Sequence, residues 1–254
     1  MTIRFAMKKI ETIEEAHGII LEIAKEFHRI CVKHNIPYYM GYGTMLGAVR
    51  HRGFIPWDDD MDFLVHRKDF EKLQKVLNSS LPAYYKLRTR KDNIGIYGEI
   101  LKIEDSRTAI TELTNQQHAN QYGLFIDIFP LDVAKNNKLV PFSRNWIISR
   151  LFQCEHNKAV KYRMAKTLVG GVNRIKYVVA KRGNYFVEYN GMDCRKTAML
   201  KEVYGSPVLY KFEGTELYGV KDAHTYLTNL YGDYMQLPKE DERHTHILEM
   251  NKLL

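Results

Sequence analysis

The stretch "GYGTMLGAVRHRGFIPWDDDMDFLV", Gly41 to Val65, sets a glycine-rich turn ahead of four carboxylates, Asp58, Asp59, Asp60 and Asp62. Such crowding of negative charge stands out in a chain of formal charge +8, because like charges at close range repel unless something holds them together. "MDFLV" has the apolar and aromatic character of a strand. On a strand side chains alternate, so Asp60 and Asp62 project from one face, about 7 Å apart, with Met61 and Phe63 behind them in the core. Two hard-oxygen ligands on one face suit Mg2+ or Mn2+. Pro56 and Trp57 bend the approach, which leaves Asp58 as an accessory ligand or an anchor.

Other readings of the acids compete. Proline followed by acids suits a helix N-terminus, but strand residues follow. Asp58, Asp60 and Asp62 fall at positions 1, 3 and 5 of a calcium loop; that loop needs glycine at its sixth position and prefers glutamate at its twelfth, where Phe63 and Asp69 stand. A solvated acidic turn fits poorly beside tryptophan and proline. Upstream, "YYMGYG" reads as a short buried strand, and Thr44 as the cap of a helix running to Arg50. The Gly43-Thr44 turn is neither a P-loop, lacking Gly-Lys-Ser/Thr, nor a dinucleotide fingerprint, since Gly47 comes one place too late. It is a helix start whose free N–H groups favour a phosphate. A phosphate cradle followed by Asp-x-Asp brings a metal beside that phosphate.

The rest of the chain supplies the setting. Its 254 residues, 45% hydrophobic, suffice for one large core or a core with an appended subdomain. Helical spacing marks residues 12–34, and "RKDFEKLQKVLNSS" reads as a helix stopped before Pro82. Strands are predicted at 84–89, 97–105 and 123–132, and helices at 140–182, 193–204 and 223–231. The pattern predicts an α/β (α+β) fold: a catalytic core over 1–133 and a mainly helical region over 134–254 that packs on it and completes the substrate site. Asp127, flanked by Phe125, Ile126, Ile128 and Phe129, needs a partner or a metal if its strand is buried. Asp132 reads as a turn residue after Pro130.

Charge and composition narrow the function classes. Residues 133–182 hold twelve basic residues against Glu155 alone, a net +11, so the rest of the chain sums to −3. This segment is a candidate for peripheral contact with an anionic membrane through 135–182, or a pair of solvated helix faces. It lacks a helix-turn-helix or zinc pattern, and nucleic acid is not an expected partner. The start of the chain has no apolar run of signal-peptide type, and no stretch reaches the ~18 apolar residues of a membrane span. Cys31, Cys154 and Cys194 lie far apart, as reduced thiols do. The expected location is cytoplasmic, peripheral at the inner face of the membrane.

"GTMLGAVRHRGFIPWDDDMDF" closely resembles the signature of the LicD family of phosphotransferases, which includes fukutin-like proteins. "LKIEDSRT" (101–108) and "GLFIDIFPLD" (123–132) resemble its next two blocks in order, and "KFEGTELYGVKDAHTYLTNLYGDYMQLP" (211–238) more loosely its closing segment. The resemblance implies a nucleotidyltransferase-like mixed sheet of the polymerase-β type. There Gly43-Thr44 is the turn, Asp60 and Asp62 the metal-binding pair and Asp127 the third carboxylate. It implies transfer of phosphocholine, or a similar head group, from a CDP-choline-like donor to a sugar hydroxyl of a cell-surface glycan. The acceptor would be of teichoic acid or lipopolysaccharide type, lipid-linked or free. Mg2+ held by Asp60, Asp62 and Asp127 would bridge the diphosphate, and Asp127 would accept the hydroxyl proton. Arg50 and Lys102 are candidate phosphate contacts, with His51 and Arg52 beside Arg50. Trp57, with Tyr38, Tyr39 and Tyr42, is a candidate aromatic face for a trimethylammonium group. His244 and His246 lie beyond the matched blocks. A nucleotidyltransferase releasing pyrophosphate, and a non-catalytic module that binds membrane or polyanion, are the alternatives.

Overall fold

The computed structural model describes residues 7–89, 100–112, 123–135, 183–189, 194–243 and 247–253. After β1 (Met7–Lys9) comes α1 (Ile13–Lys33). Thr12 caps it by accepting the Glu15 N–H at 3.2 Å, and Glu14 and Glu15 occupy its positive end. Its buried stripe, Ala16, Ile20, Ile23, Ala24, Phe27 and Ile30, follows the helical period. There follow β2 (Tyr38–Met40), α2 (Tyr42–Arg50), β3 (Asp62–His66) and α3 (Arg67–Ser80). The last buries Phe70, Leu73 and Leu77 and ends at an extended Leu81, because a residue before proline disfavours the helical region. Then come β4 (Tyr85–Arg88), β5 (Leu101–Asp105), β6 (Thr108–Glu112), β7 (Phe125–Ala134) and β8 (Tyr185–Glu188). The chain continues with α4 (Cys194–Thr197), β9 (Met199–Leu200), α5 (Lys201–Tyr204), β10 (Val208–Phe212), β11 (Thr215–Gly219), α6 (Ala223–Tyr231) and β12 (Ile247–Leu253).

The central sheet runs β2-β3-β7-β5-β4, with β8 added on β7 and β9 on β8. The β3–β7 pair is parallel and its neighbours are antiparallel, giving a mixed sheet within an α+β fold. On the side of β7 away from β3, the partner changes from β5, paired through Ile128, to β8, paired from Leu131. Pro130 sits between those two ladders, where a missing N–H is tolerated. Alternation then sorts the faces. Phe63, Val65, Ile126, Ile128, Leu101 and Ile103 lie on the side of α1 and α3, and the Phe27 ring is 4.9 Å from both Phe63 and Tyr38. The opposite face carries Asp62, Leu64 and His66 beside Asp127, Phe129 and Leu131. Part of that face is roofed by Phe186, whose ring is 4.5 Å from His66, and by Tyr204, 5.8 Å from Tyr39.

Several local readings differ from this structure. Residues 193–204 do not form one helix: Met199 and Leu200 are drawn into a strand by pairing with β8, splitting α4 from α5. Asp132 is no turn residue; it lies in β7 and holds Arg67 through two hydrogen bonds of 2.7 and 2.8 Å. The hairpin of β10 and β11 and the return of β12 to pair with β1 and β6 add strands that local patterns did not mark. The helices expected across 140–182 lie outside the described residues.

Candidate active site

Asp62, the first residue of β3, is the register partner of Asp127 in β7, which is in turn the partner of Lys102 in β5. Three adjacent strands therefore set these side chains in a row on one face. Lys102 Nζ lies 3.0 Å from Asp127 Oδ2 and 3.4 Å from the centre of the Phe125 ring. Burial first, and then repulsion from Asp60, Asp127 and Asp58, push the Asp62 carboxyl well above the usual aspartate range, against the pull of Lys102. Asp58, Asp60, Asp62 and Asp127 thus act as one electrostatic group. Asp59, between them in the chain, is buried.

The turn ahead of the acids is built differently from the sequence reading. Helix α2 starts at Tyr42 with Gly41 as its cap, so Thr44 is not the cap but sits inside the first turn. Its Oγ1 accepts the Asp62 N–H at 2.8 Å, and the Gly41 N–H donates to the Asp62 carbonyl at 2.9 Å. These bonds pin the first carboxylate strand to the helix start. A Cβ on Gly43 would fall 2.5 Å from Asp58 Oδ2. Glycine lets that carboxylate lie against the positive end of α2.

Tyr42 has a positive φ of 42°, which a bulky residue adopts only when its surroundings hold it. Its N–H donates to Tyr226 Oη at 3.2 Å, and its own hydroxyl donates to Glu188 Oε2 at 2.6 Å. Burial, then the nearby Glu188 charge, pushes the Tyr42 phenol well above its ordinary value, so it stays a donor. Glu188 is fully buried. Its strand is stapled to α4 by Thr197 Oγ1, which donates to the Glu188 carbonyl at 2.7 Å and accepts the Glu188 N–H at 3.3 Å. Glu188 and Tyr226 were not among the sequence candidates. The signal for Glu188 was present in "YFVEYN": an acid inside an aromatic strand, the same pattern that marks Asp127.

Arg50 donates to the carbonyls of Tyr234 at 2.8 Å and Gln236 at 3.4 Å, fastening α2 to the segment after α6. Trp57 lies under Arg243, whose guanidinium carbon is 4.4 Å from the ring centre, with His51 edge-on at 6.5 Å. Tyr38 and Tyr39 are buried in the core and do not join Trp57: Tyr38 bonds His28, and Tyr39 donates to the Gly205 carbonyl. The four-ring face for a trimethylammonium group is therefore not formed. Cys31 is buried, and burial pushes its thiol up. His244, His246, Cys154 and most of 135–182 lie outside the described residues.

Among the described residues no three acidic, histidine or cysteine side chains close a ready metal shell; Lys102 occupies one Asp127 oxygen. The donor chemistry nonetheless fits a hard divalent cation. All the candidate ligands are carboxylates, and a cation among them would turn the repulsion on Asp62 into attraction. No helix among the described residues is long and apolar enough to cross a membrane.

Residues 35–173 match the family described as LicD/FKTN/FKRP, nucleotidyltransferase domain. The chain is 30% identical to the lipopolysaccharide cholinephosphotransferase LicD of Haemophilus influenzae, across 96% of this chain and 98% of that protein. It is also 29% identical to an uncharacterized protein of Rickettsia typhi, over 53% of this chain and 45% of that one. A short stretch, 23% of this chain and 22% of the other, is 43% identical to an uncharacterized protein of Rickettsia prowazekii. The blocks quoted above, the match over more than half of the chain and the nearly end-to-end relative lead to one assignment: this chain belongs to the LicD family.

Proposed function

We propose that this protein transfers phosphocholine from a CDP-activated donor to a sugar hydroxyl of a lipopolysaccharide-type glycan, releasing CMP. The observation that carries the reading is the register that sets Asp62 beside Asp127 and Asp127 beside Lys102. The nearly full-length similarity to a lipopolysaccharide cholinephosphotransferase supports the head group and the acceptor class. In the reaction the acceptor oxygen bonds to the choline-bearing phosphorus, the bond from that phosphorus to the bridging oxygen breaks, and CMP leaves with the electron pair. Asp127 takes the acceptor proton. Lys102, 3.0 Å from Asp127, would meet the donor diphosphate from the β5 side. Asp60, Asp62 and Asp127 would hold Mg2+ or Mn2+, which when bound lowers the charge on the diphosphate and the pKa of the acceptor hydroxyl. The start of α2, bound to β3 through Thr44 and Gly41, keeps that carboxylate row in place.

Product analysis tests the reading against a nucleotidyltransferase of the same architecture. Incubation with CDP-choline, Mg2+ and a lipopolysaccharide-type acceptor should yield CMP and choline-bearing glycan. Pyrophosphate released from CTP, with no CMP from CDP-choline, would contradict it.

A further inference from the structure

A cleft of about 800 Å³ opens among His28 on α1, Arg52 beyond α2, and Lys211, Gly214, Thr215 and Glu216 of the β10–β11 hairpin. It lies on the α1 side of the sheet's β2 edge. His28 bonds Tyr38, whose partner in β3 is Val65, and Val65 points away from the face of Asp62 and Asp127. The cleft is therefore separate from the carboxylate row.

Tyr38 Oη accepts the Tyr218 N–H at 3.2 Å and lies 2.7 Å from His28 Nδ1. Burial lowers the pKa of the His28 ring, which favours its neutral form. Arg52 is exposed and held at a positive φ of 59°. Its loop is fixed from both sides: the Arg52 carbonyl accepts the Glu213 N–H at 3.0 Å, and the Glu213 carboxylate accepts the Phe54 N–H at 3.1 Å. Glu213 is thereby committed to the loop rather than to the cleft. Arg52, Lys211, His28 and Thr215, each with a group able to donate, line the cleft together with one acid, Glu216.

We propose that this cleft binds a phosphate group carried on a saccharide. The Arg52 and Lys211 cations suit a phosphate dianion, and a volume of about 800 Å³ leaves room for a sugar ring beside it. The hairpin, Glu213 and the 52–54 loop couple this cleft to the segment that continues to Asp58. His17 closes that path: its ring stacks on Phe54 at 4.0 Å and its Nε2 meets the Asp58 carbonyl at 2.6 Å. Only the further step of calling the phosphorylated sugar a part of the acceptor glycan rests on the function proposed above.

Calorimetric titration of the full chain with glucose 6-phosphate, glucose and inorganic phosphate tests this. Glucose 6-phosphate should bind more tightly than either of the others. Arg52→Asn, which tolerates the left-handed backbone, and Lys211→Gln should each weaken it about tenfold. Asp62→Asn should leave it unchanged, whatever that variant does to transfer. Equal affinity for glucose and its phosphate, equal affinity for inorganic phosphate, or full affinity in the folded Arg52→Asn Lys211→Gln variant would overturn the proposal. So would loss of binding in Asp62→Asn alone, since the anion would then be seated at the carboxylate row.

Discussion

At the scale of single residues, Asp62 carries the account. Its carboxyl is pushed up by burial and by three neighbouring acids, so the folded chain keeps its proton to higher pH than the unfolded chain. Without a cation, stability then falls as pH rises above the ordinary aspartate value of ~4. Asp62→Asn removes that penalty. In EDTA at pH 8 the variant should melt a few degrees above the parent, at about 2–4 °C for each kcal/mol in a chain of this size. The gap should close toward pH 4. An unchanged or lower melting temperature at pH 8 would remove the electrostatic crowding from the explanation. Legibility at this scale was uneven. Asp62 and Asp127 could be singled out because an apolar strand setting is a local property of the sequence, whereas Asp60 precedes β3, so the strand alternation expected to pair it with Asp62 does not reach it. The role of Thr44 could not, because its partner is the Asp62 N–H, brought alongside only when β2 and β3 pair. The left-handed Tyr42 carries no local signal either; it is held by Tyr226 and Glu188, more than a hundred residues away.

At the scale of elements, the helices with their own start and stop signals were readable. Thr12 before α1, Pro82 after α3 and Asp222, which accepts the Thr225 N–H at 3.0 Å ahead of α6, all mark boundaries in the chain itself. The strands β8 to β12 were not: β8 and β12 pair with strands far away in the chain, and the short β9, β10 and β11 carry little period. Those elements matter to the site, because α6 and β8 supply the groups that hold the start of α2. Tyr42→Phe deletes the donor to the buried Glu188 and leaves that carboxylate short of one bond. A loss of about 1–3 kcal/mol in urea unfolding is expected, together with slower CMP release as the Tyr42–Gly43 turn loosens. Unchanged unfolding would show that β8 does not brace the turn.

At the scale of the whole molecule, one sheet divides two kinds of work. Its α1–α3 side is an apolar core, and its other side carries the acids, partly roofed by aromatic residues from beyond residue 183. The parallel β3–β7 pair is what brings Asp62 level with Asp127; a slip of one residue would send one of them into the core. The claim on which everything else depends is that this carboxylate row is the catalytic centre. CMP release from CDP-choline in Mg2+, by the parent and by folded Asp62→Asn and Asp127→Asn, measures it directly. The expected result is release by the parent that EDTA abolishes, and a fall of about a hundredfold or more in each variant. A folded Asp62→Asn Asp127→Asn double variant that releases CMP at the parent's rate would contradict the account.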